Sequence, residues 1–177
     1  MRHLHYFLWA KVFKREIIEN IQISADERIS MGEDVNCVIP AYCNAESVYI
    51  SDETVYACRC RNDSMSRSYK PSHFDDISLG VKALKKVQNA PDGYEKAVDR
   101  YAAFMFFVIF ATAVSDGDKS VRDYAKKIYG DFEKALENAE FSGITTKSKT
   151  ALSLLKKKKF NFAYAFLRIC EKLKGRR

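Results

Sequence analysis

Glu33 and Asp34 are adjacent carboxylates that follow Met31-Gly32 and open an apolar run of Val35, Val38, Ile39 and Tyr42. Acids at the start of such a run mark a helix N-terminus, where the positive end of the backbone dipole favours a carboxylate. A carboxylate so placed can cap the helix, or it can take a proton from a hydroxyl brought up to it. The thiols offer less chemistry. Cys37, Cys43, Cys58, Cys60 and Cys170 are odd in number and lack the paired spacing of a zinc site, so they read as reduced, cytosolic cysteines. Cys58 and Cys60, two apart on a strand, would share a face and supply at most half of a zinc site. His3 and His5 have no further ligand nearby, and His73, between Pro71 and Asp75, reads as a loop residue. Asp116-Gly-Asp118 reads as a turn and N-cap between two helices rather than as a metal site. No Ser or Cys stands with a His and an acid in the arrangement of a hydrolytic nucleophile, and there is no glycine-rich phosphate loop.

The elements that must position Glu33 and Asp34 differ between the two halves of the chain. From Phe7 to Ile21, Leu8, Val12, Phe13, Ile17 and Ile21 recur at helical spacing with Lys11, Lys14 and Arg15 on the other side, which predicts an amphipathic helix. A second helix runs from the Glu-Asp pair, kinked or shortened at Pro40. Residues 47–50 and 54–61 are rich in β-branched and aromatic side chains and are joined by Ser51-Asp-Glu53, which predicts two strands, closed by a loop over 62–68. From Pro71 onward only helices are expected, over 74–87, 94–114 and 119–138, with one or two more in 145–173. The expected fold is α+β and mostly α: a small two-stranded β element with flanking helices over residues 1–70, then a helical subdomain with a basic tail over 71–177.

A chain of 177 residues can build one domain with a core, and its 47 % hydrophobic content places it in the ordinary globular range. The formal charge of +7 is concentrated. Residues 147–177 carry eleven basic side chains against Glu171 and sum to +10, which leaves residues 1–146 at −3. Lys156 to Lys159, followed by Phe160, Phe162, Tyr164 and Phe166, suits an anionic membrane surface, or simply a helix with its lysines in water. Nucleic acid is not expected as a partner, since no binding motif accompanies the charge. The start of the chain has no secretory signal pattern, and the apolar run Tyr101 to Val114 suits a buried helix more than a bilayer span.

The order of the motifs adds to this reading. Trp9-Ala-Lys-Val-Phe-Lys-Arg-Glu16, then Ile29-Ser-Met-Gly-Glu-Asp34, then Thr54-Val-Tyr-Ala-Cys-Arg-Cys-Arg-Asn-Asp-Ser-Met-Ser-Arg-Ser68 resembles the C-terminal half of the catalytic domain of family 2 glycosyltransferases. The bacterial enzymes that build capsular and cell-surface polysaccharides are the nearest pattern. The resemblance covers about residues 7–70 and implies part of a GT-A-like domain. It implies that Asp34 is the general base for an inverting transfer and that Glu33 orients the acceptor or caps the helix. Trp9 becomes an acceptor-wall or core aromatic, while Arg59 and Ser64 fall near the diphosphate of the sugar nucleotide; Arg59 is equally well read as half of a surface ion pair. The implied partners are a nucleotide sugar and a glycan or lipid-linked acceptor, and the implied location is cytoplasmic, peripheral to the inner face of the membrane. Complete family members also carry a nucleotide-binding half that ends in an Asp-x-Asp site for Mg or Mn. That half has no counterpart in these residues, so no cofactor is assigned to this chain and the isolated chain is expected to be inactive; the alternative reading is a non-catalytic helical interaction or membrane-surface module. Ala57 and Cys58 stand where the family is usually aromatic.

Overall fold

The computed structural model of the chain describes residues 7–24, 26–51, 53–57, 68–141 and 143–174. Among the described residues are seven helices and no strand: α1 (Arg15–Ser24), α2 (Glu33–Asn44), α3 (Ser72–Leu84), α4 (Tyr94–Asp116), α5 (Val121–Asn138), α6 (Thr146–Lys156) and α7 (Phe160–Lys174). α4 is apolar nearly all round because it is the axis of the molecule, with α3, α5, α6 and α7 all packed against it. Gly93 and Gly117, at φ 79° and 80°, start and stop it in left-handed conformations that a side chain would resist. It is long and apolar enough to cross a membrane by length and composition, yet Val98, Ala102, Phe106, Ile109, Phe110 and Ala113 are buried among its neighbours.

An aromatic cluster ties the central helices together. The Phe106 ring of α4 lies 5.1 Å from Phe74 of α3, 5.1 Å from Phe132 of α5 and 6.2 Å from Tyr129 of α5. Two of the buried carboxylates around it are engaged. Asp99 of α4 lies 2.6 Å from the Lys85 ammonium that follows α3, and Asp76 accepts a hydrogen bond from Ser30 at 2.8 Å. α6 begins with a Thr145 cap whose hydroxyl accepts the Ser148 amide at 3.2 Å. α2 is held on two sides. Val35 and Ile39 reach the main core, while Cys37 and Ala41 pack with Ile21 and Ile17 of α1 and with Phe13.

Several expectations are corrected. Among the described residues the expected two-stranded β element is absent: 47–50 and 54–57 run as irregular chain, residues 58–61 of the expected second strand lie outside the described residues, and the described fold is all-α rather than α+β. β-propensity measures fit to a half-buried pleated surface, and a lone pair of short strands is marginal in water without a third layer. Here Tyr49 is 91 % and Val55 72 % exposed, so no such surface is provided. The first helix is also shorter than its periodicity suggests. Ala10 takes a left-handed φ of 58° and the helix begins at Arg15, leaving Leu8 and Phe13 to pack from irregular chain. His73 is not in a loop but in the first turn of α3, buried, where desolvation lowers its pKa against the opposing pull of Asp76. Where one or two helices are expected over 145–173 there are two, α6 and α7, which pack on each other and on α4.

Candidate functional site

Glu33 and Asp34 occupy the first turn of α2, as their position in the sequence indicates. The residue before them sets the geometry. Gly32 adopts φ 84°, and a Cβ built there would lie 2.8 Å from the Tyr101 hydroxyl of α4 and 3.0 Å from Cδ1 of Ile77 of α3. Both the backbone conformation and the space therefore call for glycine, and the two acids are carried on a turn seated directly on the α3–α4 core. Gly32→Ala is expected to destabilise the chain by about 1–3 kcal/mol, the usual cost of a strained backbone position plus displacement of a neighbour. Equilibrium urea unfolding would measure it, and a variant as stable as the parent would contradict the seating.

The segment before α1 is linked to residues distant in sequence, Asp34 by charge and Tyr56 by ring contact. The Lys11 ammonium donates to the Phe7 carbonyl; partial burial lowers its pKa, and the negative charge of Asp34 opposes that shift, so the basic side chain and the acid lie within electrostatic reach. Two residues earlier, the Trp9 indole stacks on Phe7 at 4.9 Å and on Tyr56 at 5.0 Å. Trp9 remains 41 %, Phe7 46 % and Tyr56 48 % exposed, so the three-ring stack is an open aromatic wall rather than core. Such rings offer flat apolar surface with polar edges. Val12, Val48, Tyr49, Ile50 and Val55, from the chain segments that carry these rings, are also exposed.

Arg59 and Ser64, like Cys58 and Cys60, lie outside the described residues, as do His3 and His5. The donor side of the expected site therefore has no described geometry. In Asp116-Gly-Asp118, Asp116 accepts the Tyr69 amide at 2.8 Å and Asp118 accepts the Ser120 amide at 2.7 Å. Among the described residues, no group of three or more His, Cys, Asp or Glu side chains is placed to hold a metal.

One cleft went unread in the sequence. Between α2 and the first half of α4 lies a largely apolar cavity of about 360 Å³, lined by Val35, Ile39, Tyr42 and Cys43 on one wall and by Tyr94, Val98 and Tyr101 on the other. Burial raises the pKa of the Cys43 thiol, and burial with the added effect of Cys43 pushes Tyr94 up to about 12. Tyr94 donates to the Leu84 carbonyl at 3.1 Å and so closes the far end of the cleft. The spacing of Val35, Ile39, Tyr42 and Cys43 announces an apolar helix face, but not whether that face would be filled.

No protein-family model, no curated protein and no solved structure matches the chain.

Proposed function

We propose that this chain is the acceptor side of a glycosyltransferase that moves a sugar from a nucleotide-sugar donor to a glycan or lipid-linked acceptor with inversion. The observations that support it best are the Glu33-Asp34 pair in the first turn of α2 and the stacking of Trp9 on Tyr56 at 5.0 Å: a carboxylate pair at a helix N-terminus and an open aromatic wall, carried by segments that follow one another in the order of the glycosyltransferase pattern. In this reading a sugar ring of the acceptor lies against the aromatic wall and presents a hydroxyl to Asp34. The hydroxyl oxygen forms a bond to the anomeric carbon as the bond from that carbon to the diphosphate breaks. Asp34 receives the hydroxyl proton, and the nucleoside diphosphate leaves with the electron pair. Glu33 orients the acceptor, and Arg59 and Ser64 are assigned to the diphosphate.

The nucleotide-binding half must come from a longer polypeptide or from a separate chain. In this reading the exposed Val12, Tyr49, Ile50 and Val55 are assigned to the surface that meets it. A divalent metal belongs to that half, where it would offset charge on the diphosphate. The test is release of nucleoside diphosphate from a set of nucleotide sugars, with water or an added glycan as acceptor. The expectation is turnover by the polypeptide that unites both halves and none by the 177-residue chain alone. Turnover by the isolated chain, or none by the united polypeptide with any donor, would defeat the reading.

A further inference from the structure

α7 is apolar on two opposite sides, and only one of them is used. Phe160, Ala163 and Leu167 are buried against the core. Tyr164 donates to the Gly117 carbonyl at 3.3 Å and Arg168 to the Val114 carbonyl at 3.1 Å, so this face of the helix is fastened to the C-terminus of α4. On the other side, Phe162, Ile169 and Leu173 are 68 %, 58 % and 59 % exposed. At 3.6 residues per turn these three, with Ala165 between them, fall in one narrow line about 16 Å long. Solvation does not account for such a line on a helix whose packing is already satisfied elsewhere.

The charge around the line selects its occupant. Lys159 holds its ammonium 6.0 Å from the Phe162 ring centre at one end, Lys157 is exposed two residues earlier in the chain, and Lys172 is next to Leu173 at the other end. Glu171, the one acid between residues 156 and 177, is spent on Lys147 at 2.5 Å on the inner side. A second copy of the chain would set lysines against lysines in either direction of pairing, which opposes self-association through this face. A flat anionic surface with an apolar interior suits it in both respects. Large side chains would enter the headgroup boundary while lysines at both ends reach lipid phosphates. We infer that the outer face of α7 is a membrane-docking face that lies in the interface of a bilayer containing anionic lipid, with Phe162, Ile169 and Leu173 immersed and Lys157, Lys159 and Lys172 at the headgroups. This does not depend on the glycosyltransferase reading.

Flotation of the chain with vesicles of phosphatidylcholine, with or without phosphatidylglycerol, tests it. Binding is expected only when phosphatidylglycerol is present, falling as salt is raised. The exposed pairs Phe162→Ser with Ile169→Ser, and Lys157→Glu with Lys159→Glu, should each reduce the bound fraction by about tenfold or more, while circular dichroism and thermal unfolding stay those of the parent. Equal binding to neutral vesicles would overturn the inference, as would absence of binding or binding indifferent to the Phe162 and Ile169 substitutions. A dimer in sedimentation velocity that those substitutions dissociate would also overturn it, in favour of a second copy.

Discussion

Phe106→Ala is expected to cost about 3–5 kcal/mol of stability, the range for emptying a fully buried aromatic site. Phe106 has no exposed surface, and its ring is the common neighbour of Phe74, Phe132 and Tyr129. The cost has two parts: the lost transfer of the ring out of water, and a void that three helices can close only by moving. Movement is restricted, because the same helices are cross-tied by the Lys85–Asp99 pair and by Asp131, which accepts from Lys82 at 2.8 Å and also from Ser78. For a chain of this size the loss corresponds to a melting temperature lower by on the order of 10 °C. Phe104→Ala is the internal comparison. It removes the same ring from the same helix two residues away, but Phe104 is 40 % exposed and the expected cost is below about 1 kcal/mol. Thermal and urea unfolding of the two variants would check the difference, and equal effects would mean that the packing around Phe106 is misassigned. The consequence reaches the candidate site, because Ile77 and Tyr101, which back Gly32, belong to the α3–α4 layer that Phe106 helps to fix.

The helices after residue 70 could be read from the chain because their signals are local. Apolar spacing, Gly93, Gly117 and the Thr145 cap act within a few residues of where they occur. The expected strands were not legible for the opposite reason. Val48, Tyr49, Ile50, Val55 and Tyr56 have the composition of a sheet, but a sheet needs partner strands, and composition at 47–57 says nothing of whether they are there. The start of α1 was hidden by a single left-handed residue, Ala10, which periodicity does not register. The placement of Glu33 and Asp34 at the start of a helix was legible because acids there obey a local rule. The approach of Tyr101 to Gly32, the stacking of Trp9 on Tyr56 and the cleft beside Cys43 are long-range, and no spacing in the chain encodes them.

The measurement that bears most directly on the acceptor-side reading is the transfer rate of Asp34→Asn beside Glu33→Gln, made in the polypeptide that joins this chain to its nucleotide-binding half. Asparagine keeps the size of Asp34 and removes its capacity to accept a proton, so only the chemical step should suffer. The loss of first-turn charge is worth about 0.3–1 kcal/mol, which leaves the fold intact and separates catalysis from stability. The account predicts a kcat lower by about 10²–10⁴-fold for Asp34→Asn with nucleotide-sugar binding unchanged, and a much smaller loss for Glu33→Gln. A kcat for Asp34→Asn equal to that of the parent would contradict it.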